Sequence, residues 1–198
     1  MMGKGTIPKQ LQVRFVVSLA VCGVVLLSAC SQPAQPTQAN QSPQSLQTVK
    51  WDASWSRLYH DLGSLKRASD LAVVGSITGI SRVITDSKGI VSTLFIFSIN
   101  RVVWNPHHLA QHATLTINQT GGIVHNVLYE IGDDPLFQVG EQAVLFLHQY
   151  KPGYFYVQGG PSGRFTIQNG MVKPINDEGV VFSTSLSVAN FLTKIQNA

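Results

Sequence analysis

The chain runs to 198 residues, 44% apolar and only 12% charged, a balance that suits a packed core and excludes an intrinsically disordered chain. Its formal charge of +4 does not describe the folded part. Lys4, Lys9 and Arg14 all lie near the N-terminus, and the rest of the chain carries eleven basic residues against ten acidic ones, so no nucleic-acid partner is expected.

Met1 to Arg14 holds those three positive charges and no negative one, and Phe15 to Leu27, FVVSLAVCGVVLL, is almost wholly apolar. At about 13 residues the run is short of the roughly 20 that span a bilayer as a helix. A charged stretch followed by a short apolar one is the layout of a secretory signal. Leu27-Ser28-Ala29-Cys30 follows directly, and it resembles the lipobox of bacterial lipoproteins: a Leu, two small residues and a Cys. The resemblance implies that Leu27, Ser28 and Ala29 are read by the signal peptidase and that diacylglycerol is joined to the Cys30 sulfur by a thioether. Residues 1–29 would then be the signal and Cys30 the first mature residue. The partner it implies is a membrane, reached through the lipid on Cys30: the outer face of the cytoplasmic membrane, or the outer membrane in a cell that has one. Two or more acyl chains make such an anchor stable. Cys22 leaves with the signal, so the mature chain has no second cysteine for a disulfide. Cysteine-based catalysis and Cys-type zinc sites are excluded for the same reason.

Residues 30–50 form the next segment, the lipidated Cys and a tether. Ser31 to Val49 is rich in Gln, Pro and Ser, uncharged and without hydrophobic period. It reads as a disordered spacer of about 20 residues with a reach of roughly 25 Å. Residues 51–198 form a single domain, large enough to hold itself by its own core. Between Trp51 and Leu71, Trp55, Leu58, Leu62 and Leu65 recur at helical spacing. Gly63 predicts one broken helix or two short ones, with Arg57, Asp61, Lys66 and Arg67 facing solvent.

Beyond this the pattern turns to β. Leu71 to Ile84 is a Val- and Ile-rich strand with Gly75 and Gly79 at bends or bulges. Asp86-Ser87-Lys88-Gly89 is a turn, and Thr93 to Trp104 a second long strand. Ala113 to Gln119 alternates, with Ala113, Leu115 and Ile117 inward. Ala143 to His148 is a buried run. Tyr154 to Val157 and Arg164 to Ile167 flank Gly159-Gly160-Pro161-Ser162-Gly163, and Asn169-Gly170 predicts a tight hairpin from Phe165–Ile167 to Met171–Lys173. Ser187 to Ile195 closes as an amphipathic helix with Val188, Phe191, Leu192 and Ile195 on one face. The expected fold is mainly β: a small curved barrel with an N-terminal helical segment and a short C-terminal helix, a two-sheet sandwich being the alternative.

The run Ser69-Asp70-Leu71-Ala72-Val73-Val74-Gly75-Ser76-Ile77, the strand Phe95 to Val103 and Phe137-Gln138-Val139-Gly140-Glu141 before Ala143–Leu147 resemble netrin-like domains. That family, which includes the tissue inhibitors of metalloproteinases, is built on five-stranded OB barrels. The same text is similar to uncharacterised exported bacterial proteins with a VGE…VLFL…GG.SGRF…NG.V core. Coverage runs from about Ser69 to Pro174. The netrin-like inhibitors act through an N-terminal cysteine and flanking disulfides, which this chain lacks, so the resemblance implies their barrel and not their inhibition.

Candidate chemistry is sparse. His108 and His112 stand four apart beside His107, a spacing that zinc sites use, with His125 or His148 as a third ligand only if the fold brings it near. Pro106 places the trio in a loop, and no metal is expected there. Glu130 with Asp133-Asp134-Pro135 is an acidic cluster that could do acid–base work or bind calcium, but Gly-Asp-Asp-Pro describes a turn and calcium-loop spacing is missing. Gly160-Pro161-Ser162-Gly163-Arg164 lacks the last glycine of a nucleophile elbow. No cofactor fingerprint occurs. Tyr150, Tyr154, Phe155 and Tyr156 lie close in sequence to Lys151 and Arg164, and such a set on an OB barrel can bind sugars or oligonucleotides. These residues together predict a non-catalytic, lipid-anchored barrel that binds a protein or envelope ligand. A metal-dependent or serine hydrolase is the alternative.

Overall fold

The computed structural model describes residues 46–53, 55, 57–109 and 112–198; the signal, Leu27–Cys30 and the tether up to residue 45 lie outside them. In chain order the elements are β1 (Gln47–Trp51), α1 (Leu62–Ala68), β2 (Leu71–Thr85), β3 (Val91–Trp104), β4 (Thr114–Thr120), β5 (Gly122–Val124) and β6 (Val127–Ile131). They continue with β7 (Gln142–Lys151), β8 (Tyr154–Val157), a 3-10 turn (Gly160–Gly163), β9 (Arg164–Gln168), β10 (Met171–Pro174), β11 (Leu186–Ser187) and α2 (Val188–Asn197).

Five of the strands close on themselves in the order β7-β2-β3-β4-β8, with β8 returning to β7. All neighbours are antiparallel except β4 and β8, which meet in parallel at Thr116–Tyr154 and Ile117–Phe155. This is a small closed five-stranded barrel, as the sequence predicts. The long strands can bend round it because the β2–β3 register slips at Val74/Gly75 and Ile77/Gly79, the two glycines expected to bulge. At Gly75 a Cβ would lie 1.9 Å from the Ser98 carbonyl oxygen, so the close approach of β3 excludes a side chain there. The β2–β3 connection is set locally: Asp86 Oδ1 accepts from the Lys88 and Ile90 amides at 2.8 and 2.9 Å, an Asx turn closed by Gly89. The predicted Asn169-Gly170 hairpin also forms, with both residues at positive φ joining β9 to β10.

Two cores share the wall of β7. Ala143, Leu145 and Leu147 point into the barrel among Val73, Ile77, Phe95, Phe97, Leu115, Ile117 and Phe155. Val144 and Phe146 point outward into a second cluster, where Phe165, Val172, Phe191, Leu192, Ile195 and Leu65 cover them. Because both faces of β7 are buried over this stretch, its sequence reads as a continuous apolar run rather than an alternating one. α2 supplies one lid of the second core; Ser187 caps it by accepting from the Asn190 amide, and the Phe191 ring sits 4.8 Å from Phe165.

A buried ion network pins the β6–β7 loop to this frame. Arg164, 3% exposed, donates from Nε at 3.1 Å and Nη2 at 2.9 Å to Glu141 Oε1, and from Nη2 at 2.8 Å to Oε2. Its Nη1 reaches Asp134 Oδ1 at 3.3 Å and the Pro135 carbonyl, and the guanidinium lies 3.9 Å from the Phe137 ring centroid. Gln119 adds bonds to the Pro135 carbonyl and the Phe137 amide. The Glu and Arg of the VGE…SGRF core are thus one buried pair.

Several expectations are corrected. Helix forms only over Leu62–Ala68, capped by Asp61. Trp51 is in a strand and residues 57–60 have no regular secondary structure, because Trp55 and Tyr59 are claimed by packing on Gly160 and Gly159 and tertiary contact overrides the helical spacing. Lys66 does not face solvent: it is buried, donating to the Gln196 and Ala198 carbonyls, with its ammonium 4.5 Å from the Trp104 ring centroid. Ala113 is exposed and outside the strand, and the inward set continues instead to Gln119. The expected Gly132–Asp133 turn forms, closed by the Asp134 amide on the Ile131 carbonyl, and Asp134 is in addition a buried partner of Arg164. The last four residues assigned to the tether, Gln47–Lys50, are part of β1, paired in parallel with β6.

Two outcomes follow from the network. Glu141→Ala leaves a buried guanidinium short of its main partner and is expected to destabilise by about 3–5 kcal/mol, read as a lower urea midpoint. Burial raises the Asp134 carboxyl above its usual 3.8, partly offset by Arg164. The folded state therefore holds this proton more tightly than the unfolded one. Its contribution to stability is present in acid and falls as pH rises from about 4 through the raised value. Urea midpoints of Asp134→Asn against pH are expected to lose that decline.

Candidate binding face

The outer face of β7 changes character along its length. Val144 and Phe146 are covered by the second core, but the next outward residues, His148 and Tyr150, run past the cover. β8 lies beside them and sends Tyr154 and Tyr156 to the same face while Phe155 points into the barrel. The side chains form a continuous strip. His148 is 4.9 Å from the Tyr156 ring, Tyr156 stacks on Tyr150 at 6.1 Å, and Tyr150 meets Tyr154 edge-on at 6.2 Å. Lys151 Nζ caps the end, 3.9 Å from the Tyr154 centroid. Tyr150 and Tyr156 are 42% and 41% exposed.

At the other end stands Asp70, on the approach to β2. Its carboxylate accepts from the Gln149 amide at 2.9 Å, and His148 Nδ1 and His107 Nε2 lie 2.9 and 3.5 Å from it. This orients the His148 ring against Tyr156. Burial lifts the Tyr156 phenol above the ordinary tyrosine value, with Asp70 and then Tyr59 adding to the shift.

The strip brings together the tyrosines singled out from the sequence but not Arg164, which is sealed in the Glu141 network. It also includes Asp70 and His148, which sequence reasoning missed as a pair. A histidine ending an otherwise apolar strand, and an aspartate just before another, were the only local signals. The loop histidines separate: His107 turns to Asp70, while His108, at φ 50, and His112 are exposed. Among the described residues no three His, Cys, Asp or Glu side chains are grouped as a metal would require. Asp133 is held by Trp55, whose indole nitrogen donates to it at 2.5 Å, and Glu130 accepts from the Leu136 amide; the acidic cluster is spent on shaping its own loop. Leu27, Ser28, Ala29 and Cys30 lie outside the described residues.

Chemically the face offers stacked aromatic edges, one ammonium and a carboxylate-oriented imidazole: a surface for planar or ring-shaped polar ligands. The chain matches no protein-family model, and no curated protein is significantly similar to it.

Asp70→Asn is expected to lower the ionisation pH of Tyr156, resolved as the difference between ultraviolet titrations with and without Tyr156→Phe. An unchanged Tyr156 titration would show that Asp70 does not act on this ring.

Proposed function

We propose that this chain is a lipid-anchored envelope lipoprotein whose OB-type barrel is a non-catalytic binding module, taking a protein or envelope ligand on the tyrosine strip of β7 and β8. The supporting observation is the strip itself. Tyrosines bury large area at small conformational cost and keep a polar tip, which is why such rings are favoured at interfaces; here the rings are ordered by one another and held at the surface. The lipobox reading supplies the location, with Cys30 carrying diacylglycerol and the domain outside the cytoplasmic membrane.

A hydrolase is the second reading, and the Asp70–His148 pair, 2.9 Å apart at Nδ1, favours it: a carboxylate beside imidazole Nδ1 orients a general base in acyl-transfer sites. Among the described residues no serine or threonine hydroxyl is hydrogen-bonded to His148, so the nucleophile that reading requires has no assigned residue.

Mass spectrometry of the membrane-extracted protein is expected to find Cys30 as a diacylated N-terminus, and Cys30→Ala to leave an unprocessed precursor. Co-sedimentation of the detergent-extracted protein with purified, lipid-free cell-wall sacculi is expected to fall at least tenfold in Tyr150→Ala/Tyr154→Ala. Ester hydrolysis abolished by His148→Ala, or stoichiometric zinc or calcium in the purified protein, would overturn the non-catalytic reading.

A further inference from the structure

The barrel is not closed along its whole height. β4 and β8 pair at only two positions and then part, so Asn118–Thr120 on one side and Tyr156–Val157 on the other become the banks of a gap. The gap is a cleft of about 290 Å³ lined by Trp55, Asn118, Gln119, Thr120, Asp134, Tyr156, Val157 and Gly160.

Its walls are built rather than left over. Trp55 is fixed by its bond to Asp133 and lies so close on Gly160 that a Cβ there would stand 2.3 Å from the ring; Gly160 also holds a φ of +55. Gln119 is locked by its bonds to the β6–β7 loop. Asn118 Oδ1, in contrast, is shut off from solvent with no hydrogen-bond donor among the described residues. A buried acceptor without a donor is unusual enough to require a reason; turning the side-chain amide about χ2 brings this oxygen to the cleft, where a ligand N–H would satisfy it.

The lining selects the class of ligand. No lysine, arginine or histidine borders the cleft, and Asp134 is already paired with Arg164, so anionic ligands find no counter-charge. The strand edge beyond Ile117 ends after three residues, too short to carry a peptide by strand addition. What remains is two aromatic rings around neutral amide and hydroxyl groups, in a space at the small end for ligand pockets, the composition that suits a single sugar ring. We infer that the seam cleft is a subsite for an N-acetylated sugar residue, whose acetamido N–H donates to Asn118 Oδ1 once the side-chain amide has turned to the cleft, while Trp55 and Tyr156 flank the ring. This rests on the reading of the barrel as an envelope-binding module, and Tyr156, shared by strip and cleft, joins the two.

The test uses the full chain in detergent, with tri-N-acetylchitotriose as probe and the de-N-acetylated trimer as its control, followed by calorimetry and tryptophan emission. Saturable binding of the acetylated trimer is expected, weakened at least tenfold for the control and in Asn118→Ala. Asn118→Asp, which keeps the acceptor at the same place, is expected to retain binding and guards against misfolding of the alanine variant. The emission change is expected to vanish in Trp55→Phe. Trimer binding that survives Asn118→Ala but is lost in Tyr150→Ala/Tyr154→Ala overturns the cleft assignment and leaves the strip. Absence of trimer binding by a protein that still sediments with sacculi also overturns the cleft alone. Absence of both removes the module reading with it.

Discussion

The guanidinium of Arg164 is the point on which the rest of this domain depends. It sits at the first residue of β9, where β9, β10 and β11 carry the sheet on beyond the barrel, and it reaches back to Glu141 and Asp134 on the connection between β6 and β7. A charge taken out of water is tolerable only when its donors are met, and here Glu141 takes two edges of the group, a backbone carbonyl and Asp134 take a third, and Phe137 covers its face. The loop from Asp133 to Gln138 has little regular structure of its own. Its path is dictated by the need to satisfy that one cation, and the path in turn positions Asp133 for Trp55 and so one wall of the seam cleft.

The same logic connects the two faces described for β7. A strand buried on both sides near its start and bare on one side near its end creates, without a break in the backbone, a rigid support for exposed rings. The strip is carried by strands, not by a loop, so its tyrosines are presented with little freedom to lose on contact. Asp70 adds to this rigidity by bonding the Gln149 backbone amide and lying 2.9 Å from the His148 imidazole at the place where β7 outruns β2.

What the sequence revealed was local. The Asp86–Gly89 and Asn169-Gly170 turns, the bulging glycines of β2 and the amphipathic α2 could be read because each depends on residues a few positions apart. The barrel class followed from long strands interrupted by glycine. β5 and β6 were not legible: they are short, only partly buried and stabilised by pairing with a segment whose Gln-rich composition suggested a spacer. Arg164 was placed with the tyrosines by proximity in sequence, although one residue type in a strand can serve a buried carboxylate as well as a surface, and only the fold decides. The helical spacing of Trp55 and Leu58 does not become a helix because Trp55 and Tyr59 pack on Gly160 and Gly159.

β1 has a consequence for how the domain hangs from whatever precedes it. Five register pairs lock Gln47–Trp51 alongside Val127–Ile131, and the Gln47 amide reaches the Asn126 carbonyl at the tip of the β5–β6 hairpin. A chain that joined the domain through coil would act as a swivel, letting the barrel turn freely. A chain that joins as a docked strand passes torque. β1 is therefore held at a fixed heading, and the direction in which the tyrosine strip looks relative to Gln47 is a property of the fold.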